Sequence, residues 1–338
     1  LGLIALYSAS GADLTMTLKQ ASSFALGFGV MLVLARITPS SYAYVSPWFY
    51  GLGVILLVAV ALIGEVRMGA QRWIDIPGVT SVQPSEFLKL AMPMMAAWYL
   101  STRPIPIRFR DLVVCVVMIL VPVGLIAEQP DLGTSILVFM SGFFVLFFAG
   151  LSWRLIGSMA ALAAAAAPIA WNFLHDYQRR RVITLFDPES DPLGNGWNII
   201  QSKTAIGSGG LSGKGWLDGT QSHLHFLPEG HTDFIIAAFS EEFGFIGVIV
   251  LLTLYLAILI RAIQIATNAQ TSYGRLLAGA ITMSFFFYVF VNAGMVSGIL
   301  PVVGVPLPFI SYGGTAIITL MSGFGVLMSI QAHRKLMG

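Results

Sequence analysis

The chain of 338 residues has few charged side chains, since Lys, Arg, Asp and Glu together make up only 10% of it. Soluble domains carry about 25% charged residues. The apolar fraction is 57%. One core cannot bury that much apolar surface, because a folded chain of about 300 residues leaves about a quarter of its extended surface in water. The low charge therefore excludes a soluble single domain and a disordered chain.

Cysteine is almost absent as well. Cys115 is the single one in the sequence, which excludes a secreted module held together by disulfides. The net charge of +2 says little about partners. The mean hydropathy of +0.83 agrees with the class of protein that remains, a polytopic membrane protein.

Nine apolar stretches are long enough to cross about 30 Å of hydrocarbon, which takes about 20 helical residues. They lie near residues 19–37, 47–64, 84–101, 111–128, 133–150, 154–173, 234–260, 275–298 and 313–331. The apolar residues 1–7 predict the end of a tenth span that begins before the chain does. The sequence therefore predicts an all-α fold of about ten transmembrane helices, the first one truncated. We expect a single integral membrane domain over residues 1–338.

The distribution of basic residues predicts the orientation, because cytoplasmic loops are enriched in Lys and Arg. One set of short loops carries nine of them (Arg36, Arg103, Arg108, Arg110, Arg154, Arg261, Arg275, Arg334 and Lys335) and the other set carries four (Lys19, Arg67, Arg72 and Lys89). The first side is predicted to be cytoplasmic, with both termini. On this map Asp111 is the one acid of sixteen on that side. The long polar loop, residues 174–233, faces outward, which indicates a function at the outer surface.

The segment before the third complete span carries the first candidate site. Pro84 is predicted to begin the helix, Glu86 to lie in its first turn and Lys89 one turn deeper on the same face. The pair is either a dipole-stabilising carboxylate with a snorkelling lysine or the lining of a polar cavity. We favour the cavity, because ionisable residues at membrane depth usually face one. Arg72, in the loop before the helix, is a candidate phosphate or carboxylate ligand.

The long loop contains two basic segments. The arginines at 179–181 are typical of contact with lipid head groups, and binding of a pyrophosphate is the alternative. The glycine-rich residues 203–215, with Lys203 and Lys214, are a candidate backbone nest for phosphate. They are not a P-loop, because Gly215 stands where Ser or Thr should follow the lysine.

The loop closes with a group of metal-ligating residue types, namely His223, His225, Glu229, His231 and Asp233. Their spacing matches no zinc pattern. The metal stays unassigned, with Mg²⁺ or Mn²⁺ shared with a substrate phosphate as the alternative. Asp233 is either a helix cap or, at the mouth of a polar cavity, a general base.

Two further segments are predicted to be irregular. Residues 128–133 form a tight turn in which Asp131 or Ser135 caps the next helix, an interpretation favoured over substrate contact. Residues 292–316 form a bent segment, because Pro301, Pro306 and Pro308 interrupt the helical pattern. Irregular backbone at membrane depth is tolerated where protein buries it or where it lines a cavity.

Several motifs together resemble the shape, elongation, division and sporulation (SEDS) family. The signature is Asn292, then Gly298-Ile299-Leu300-Pro301, Val302-Val303-Gly304 and Pro308-Phe309-Ile310-Ser311-Tyr312-Gly313-Gly314-Thr315. Supporting motifs lie at residues 72–75, 83–86, 128–133 and 231–234. The resemblance covers nearly the whole chain. The elongation-type branch fits better than the division-type branch, mainly through residues 187–233.

The resemblance implies a peptidoglycan glycosyltransferase that polymerises lipid II on the outer leaflet. The 4-hydroxyl of an acceptor GlcNAc would attack C1 of a donor MurNAc, with inversion, and undecaprenyl pyrophosphate would leave. The implied general base is Asp233. The implied substrate contacts are the paired Glu86 and Lys89, Arg72 at the pyrophosphate and, more weakly, Arg181, Lys203, Ser311 and Tyr312.

The resemblance also implies partners and a location. The expected partner is a class B penicillin-binding protein, a single-span transpeptidase that also activates the polymerase. We further expect membrane proteins of the elongation complex in the bacterial cytoplasmic membrane, and no nucleic acid. A lipid II flippase is the main alternative and a non-catalytic scaffold the third. Against a flippase, the acids gather on one face and the chain has no clear internal repeat.

Overall fold

The structure is a computed structural model that describes every residue except 68–69, 77–79, 105–106, 173, 175, 192–193, 221–228 and 335–338. The described residues form twelve α-helices, one 3₁₀ helix and three short strands. The helices are α1 (Gly2–Ala9), α2 (Leu14–Arg36), α3 (Pro39–Ile63), α4 (Pro84–Ser101), α5 (Phe109–Glu128), α6 (Leu132–Phe148), α7 (Trp153–Trp171), α8 (Asp176–Phe186), α9 (Asn195–Ser208), α10 (Ile235–Thr267), α11 (Ser272–Val296) and α12 (Gly314–Ala332). The 3₁₀ helix is Pro188–Ser190 and the strands are β1 (Glu65–Arg67), β2 (Ala70–Ile76) and β3 (Thr80–Val82).

The fold is that of an all-α polytopic membrane protein, as the sequence predicts. Each of the nine predicted spans coincides with a helix. Among the described residues, six helices are long and apolar enough to cross a membrane, namely α2, α3, α5, α10, α11 and α12. Exposed apolar side chains such as Trp48, Leu62 and Leu162 agree with a lipid environment. Three boundaries differ by five or more residues from those predicted. Helix α2 begins at Leu14 rather than near 19, and α10 ends at Thr267 rather than near 260. Helix α3 begins at Pro39 rather than near 47, because it accommodates Pro47 in its interior.

The chain divides into two compact units. The first unit comprises Leu1–Ala21, Leu151–Leu256 and Tyr288–Gly313. The second unit comprises Ser22–Gly150, Ala257–Phe287 and Gly314–Gly338.

In the second unit, α4 is the central helix. It packs against α3, α5, α6 and α12, and Leu88, Ala91 and Met92 are fully buried. Pro84 occupies the first helical position, as predicted, with Glu86 in the first turn. Protein therefore surrounds α4 on most sides, so the charged pair on this helix lies among side chains rather than against lipid.

Before α4, the second unit contains a small antiparallel sheet that the sequence analysis did not predict. Its strand order is β1-β2-β3, with Glu65 opposite Trp73 and Asp75 opposite Ser81. The prediction that Arg72 lies in a loop is therefore wrong, because this residue belongs to β2. The segment carries β-favouring Ile and Trp residues. However, β1 and β3 have only three residues each, and the seven residues of β2, AQRWIDI, do not alternate between apolar and polar.

In the first unit, the long loop contains α8, the 3₁₀ helix and α9. This organisation contradicts the predicted phosphate nest over residues 203–215. Residues 203–208 belong to α9, whose backbone N–H groups are used within the helix. Lys214 N and Gly215 N donate to the carbonyls of Glu241 and Glu242, at 3.0 and 3.1 Å. Most of the N–H groups in residues 203–215 therefore serve the fold.

Helix α10 is broken at Gly244, which has φ 65° and ψ −166°. The turn 209–215 satisfies the backbone groups that the break would otherwise leave unpaired. On one side of the break, two carbonyls of α10 accept from the turn as just described. On the other side, Phe245 N donates to Gly210 O at 2.9 Å and Ile246 N donates to Leu211 O at 3.1 Å. These four hydrogen bonds splice the turn into the helix, and we call this arrangement the splice.

The splice predicts a large difference between two glycines of the turn. Gly213 and Gly210 both have left-handed backbones, with φ of +79° and +55°. A Cβ on Gly213 would lie 2.0 Å from the carbonyl oxygen of Glu242, whereas one on Gly210 would meet nothing within 4 Å. Gly210→Ala should cost only the left-handed strain, about 1–2 kcal/mol. Gly213→Ala should add an overpacking cost of about 1–3 kcal/mol.

Thermal melting of the two detergent-purified variants checks this prediction. The Gly213 variant should melt clearly below the Gly210 variant. Equal melting temperatures would show that the turn yields without disturbing α10.

Candidate functional site

Asp233 lies in the first unit, in the turn that leads into α10. The turn is closed by Glu229, whose carbonyl accepts from the backbone N–H groups of Thr232 and Phe234, both at 3.1 Å. The Glu229 side chain accepts a further hydrogen bond from Thr232 Oγ1 at 2.6 Å. Phe234 is only 1% exposed. The aspartate is thus partly buried, between a buried aromatic anchor and a self-bonded turn.

Three consecutive backbone carbonyls, those of residues 231–233, each accept a hydrogen bond from a different donor. The first accepts from the backbone N–H of Tyr312 at 3.0 Å, the second from Ser311 Oγ at 2.6 Å and the third from Asn292 Nδ2 at 2.8 Å. We call these three donors the carbonyl clamp. They come from α11 and from residues 297–313 after it, which we call the proline-rich segment. The clamp therefore fixes the backbone of Asp233 against distant parts of the sequence.

The hydrogen-bond donors of Asn292 and Ser311 are all used in this arrangement, while Asn292 Oδ1 is buried and has no partner among the described residues. Asn292 is 0% exposed, and its second amide hydrogen bonds the carbonyl of Val305 at 2.7 Å. The hydroxyl of Ser311, which is 3% exposed, also accepts from Leu307 N at 2.8 Å. Each side chain therefore holds the 231–233 backbone and the proline-rich segment at the same time.

The proline-rich segment is irregular over residues 297–313, since α11 ends at Val296 and α12 begins at Gly314, so the predicted range of 292–316 is too wide at both ends. Gly304 has φ +76°, and its Cα faces the Asp233 carboxylate, because a Cβ built there would lie 3.4 Å from Oδ2. Gln20 supports the far end of the segment. Its Nε2 donates to Ser311 O at 2.8 Å and its Oε1 accepts from Gly313 N at 3.2 Å.

The other predicted site residues of the first unit lie on the same elements or nearby. Lys203 is an exposed residue of α9, and its Nζ would lie 2.7 Å from a Cβ on Gly298 in the proline-rich segment. Tyr312 places its ring 6.5 Å from the ring of His231. Arg181 is partly buried on α8.

The second unit holds Glu86 and Lys89, which form the predicted pair on one face of α4. Lys89 Nζ lies 2.5 Å from Glu86 Oε1, and the two side chains are 7% and 9% exposed. Within the described part of the chain, Glu86 Oε2 has no hydrogen-bond partner. Glu86 also lines an apolar cavity of about 460 Å³ bounded by residues of α2, α3, α4 and α12. The pair thus presents an unused acceptor where a polar and an apolar region meet.

Arg72 and Gln83 contact the turn between α5 and α6. Arg72 donates from Nε to the carbonyl of Gln129 at 3.1 Å and from Nη2 to that of Pro130. Asp131 caps α6 by accepting from Thr134 N at 3.1 Å, which confirms the predicted cap. Its other oxygen accepts from Gln83 Nε2 at 3.0 Å. The motifs at 72–75, 83–86 and 128–133 are therefore joined by hydrogen bonds.

The predicted metal site is only partly described. His223 and His225 lie outside the described residues. Among the residues that the structure does describe, no three His, Cys, Asp or Glu side chains are arranged to hold a metal ion. Mg²⁺ or Mn²⁺ therefore stays a prediction, and no step below passes through a metal.

The predicted site residues thus fall into two groups. Asp233, Arg181, Lys203, Ser311 and Tyr312 belong to the first unit, and Arg72, Glu86 and Lys89 to the second. Sequence reasoning missed Gln20 and the positions of Asn292 and Gly304 beside Asp233. A glutamine inside a predicted span is rare enough to have signalled a buried polar contact.

Comparison with known proteins identifies what the chain resembles. A family model described as cell cycle protein, that of FtsW, RodA and SpoVE, matches residues 1–336. The chain is 54% identical to the peptidoglycan glycosyltransferase MrdB of Escherichia coli over 99% of this chain and 90% of that protein. It resembles a chain in a solved peptidoglycan synthase complex that coordinates polymerization and crosslinking, with a TM-score of 0.87, 32% identity and coverage of 99% and 95%.

A solved structure of the rod shape determining protein RodA of Thermus thermophilus is similar too. Its TM-score is 0.73, with 29% identity and coverage of 99% of this chain and 93% of that one. The match runs through the signature from Asn292 and the motif around Asp233, so the SEDS resemblance seen in the sequence is confirmed. The chain belongs to the FtsW, RodA and SpoVE family of cell cycle proteins.

Proposed function

We propose that this chain is a peptidoglycan glycosyltransferase that polymerises lipid II during cell elongation. The observation that carries the proposal is the 54% identity, across nearly the whole chain, to a protein named as a peptidoglycan glycosyltransferase. Both groups of motif residues that this activity needs are present, one around Asp233 and one around Glu86.

In this proposal the first unit performs the proton transfer. Asp233 acts as general base and removes the proton from the 4-hydroxyl of the acceptor GlcNAc as that oxygen attacks C1 of the donor MurNAc. Attack from the face opposite the leaving pyrophosphate inverts the anomeric centre. The partial burial of the turn and its anchoring by the carbonyl clamp suit a base that must stay in one place.

The leaving group carries negative charge, and the proposed cationic contacts are Arg72, Lys203 and Arg181. Arg72 is held against the turn at residues 129–130, so its guanidinium is oriented before a substrate arrives. Lys89 holds the carboxylate of Glu86 in place, and Glu86 Oε2 is left as an acceptor for a sugar or peptide group. Tyr312, beside His231, is a further proposed contact.

The apolar cavity supports a lipid-linked substrate. Side chains such as Leu34, Phe87 and Ile318 line it, while Gln83 and Glu86 are also part of its wall. A chain of isoprene units is the kind of ligand that gains from burial in such a space. The cavity therefore fits the tail of a lipid whose head group is polar.

We further propose that the partner is a class B penicillin-binding protein, within a larger elongation complex. A structural relative was solved in a peptidoglycan synthase complex. The chain would lie in the bacterial cytoplasmic membrane with both termini in the cytoplasm and the site facing outward, where lipid II is polymerised.

The test is a polymerisation assay with the full-length protein and a cognate class B penicillin-binding protein. Purified complex should convert lipid II into glycan polymer visible on a gel. In parallel, liposomes that contain the protein report any movement of lipid II across the bilayer. Polymer supports the proposal. No polymer together with transbilayer movement would replace it with the flippase, and neither activity would favour the scaffold.

A further inference from the structure

We propose that Asn292 and Ser311 are positioning residues of the polymerase, which act by holding the backbone of Asp233 and not by touching substrate. This inference rests on the proposed function, since it assigns them a role toward the proposed base. It also reassigns Ser311, which the sequence analysis expected to bind substrate.

The contacts of both side chains are directed at the backbone. Each of the carbonyls of residues 231–233 has its own donor, and two of these donors are the side chains of Ser311 and Asn292. Both side chains bond backbone oxygens, so their effect is on where the chain runs. Because the backbone at Asp233 is held in place, its carboxylate is confined to a narrow range of positions. Accurate positioning of a catalytic group lowers the activation barrier.

These side chains have no donor left for a ligand, and the unpaired acceptor Asn292 Oδ1 is buried. Asn292 is 0% exposed, and both hydrogens of its amide are used, at 2.8 Å to Asp233 O and 2.7 Å to Val305 O. The opposite orientation of the amide would place its oxygen against two carbonyl oxygens. Ser311 donates its one hydroxyl hydrogen to Thr232 O. A substrate would have to break these bonds in order to accept a hydrogen bond from either side chain, and Asn292 Oδ1 is buried away from it.

The clamp also joins the backbone of Asp233 to the proline-rich segment. Asn292 and Ser311 bond the segment through Val305 and Leu307 as well as the 231–233 backbone. Gly304 of the same segment faces the carboxylate of Asp233. The two side chains therefore set both the backbone of the base and the surface that its carboxylate rests against.

The test compares Ser311→Ala and Asn292→Asp with a matched control. Ser329→Ala removes a hydroxyl that is also buried and that also donates to a backbone carbonyl of another segment, that of Ile37, in the second unit. Each variant is purified with the class B partner. Initial rates of lipid II polymerisation give kcat and KM, equilibrium binding gives the affinity for lipid II, and thermal melting reports folding.

We expect Ser311→Ala and Asn292→Asp to lower kcat by about 10- to 100-fold, because a displaced base loses its alignment. KM and lipid II binding should stay within about twofold of the unaltered protein, since ground-state contacts are kept. Ser329→Ala should keep its kcat within about twofold, even at an equal loss of melting temperature. Ser311→Thr, which keeps the hydroxyl, should recover activity relative to Ser311→Ala.

Other outcomes overturn the inference. A loss of lipid II binding in the Ser311 variant would make Ser311 a substrate contact. A kcat that falls equally in the Ser311 and Ser329 variants would show that the clamp contributes to the stability of the fold and has no specific role in positioning Asp233. If the unaltered complex makes no polymer, the proposed function itself is contradicted. If all variants make polymer as well as the unaltered protein, only the positioning role of Asn292 and Ser311 is contradicted.

Discussion

We expect the Asp233→Asn variant to lose polymerisation by about 10²–10⁴-fold, the range that general-base catalysis contributes. Asparagine has the same shape as aspartate but cannot accept the proton of the attacking hydroxyl. The fold around it should persist, because the clamp and the Glu229 turn bond backbone atoms of this region rather than the carboxylate. Binding of lipid II should therefore survive while turnover is lost.

The measurement is the initial rate of glycan formation from lipid II, with melting temperature as the test of folding. Asp218→Asn is the matched control, since Asp218 is an exposed loop aspartate outside the proposed machinery. This variant should polymerise like the unaltered protein. An Asp233 variant that is folded and fully active would show that this residue is a structural element of the turn.

The second large effect is on stability. Lys89→Met should destabilise the second unit by about 3–5 kcal/mol, because it leaves the buried carboxylate of Glu86 without its cation. The double variant Glu86→Gln, Lys89→Met removes both charges and should be clearly more stable than Lys89→Met alone. Melting temperatures in detergent measure the difference.

Another ion pair of the same unit is the control for this prediction. Arg103 Nε lies 3.6 Å from Asp111 Oδ1, and the Arg103 side chain is 46% exposed. Arg103→Met should cost clearly less than Lys89→Met, because Arg103 is partly in solvent and the buried Asp111 keeps its hydrogen bond from the Tyr99 hydroxyl at 3.0 Å. If Lys89→Met and Arg103→Met have equal melting temperatures, burial does not determine how much the Glu86–Lys89 ion pair contributes to stability.

The spans and their order could be predicted from the sequence because hydropathy is a local property. So could the contact between Glu86 and Lys89, which depends only on helical spacing. The strands at residues 65–82 could not, since sheets depend on pairing between separated segments. The predicted phosphate nest at residues 203–215 was wrong for a related reason. Its glycine-rich composition suggested backbone N–H groups available to a ligand, but α9 and the contacts with the broken α10 use most of them.

In the candidate site, too, local features could be predicted from the sequence and contacts between distant segments could not. Asp233 stood out by its residue type and its place before a span, and the family motif gave its proposed role. The donors that hold it come from residues 59–79 positions away along the chain, and no periodicity links them. Asn292 and Ser311 were visible as members of a motif, but only the folded chain reveals that they bond the backbone of Asp233.

The splice has a mechanical consequence for α10. A continuous helix transmits torque along its axis, whereas this one is interrupted at Gly244 and completed by bonds to the turn 209–215. A twist applied to residues 245–256 is therefore passed to the turn as well as to the short segment 235–243 that follows Asp233. The break therefore divides such a twist between two segments, so that only part of it reaches the backbone next to Asp233.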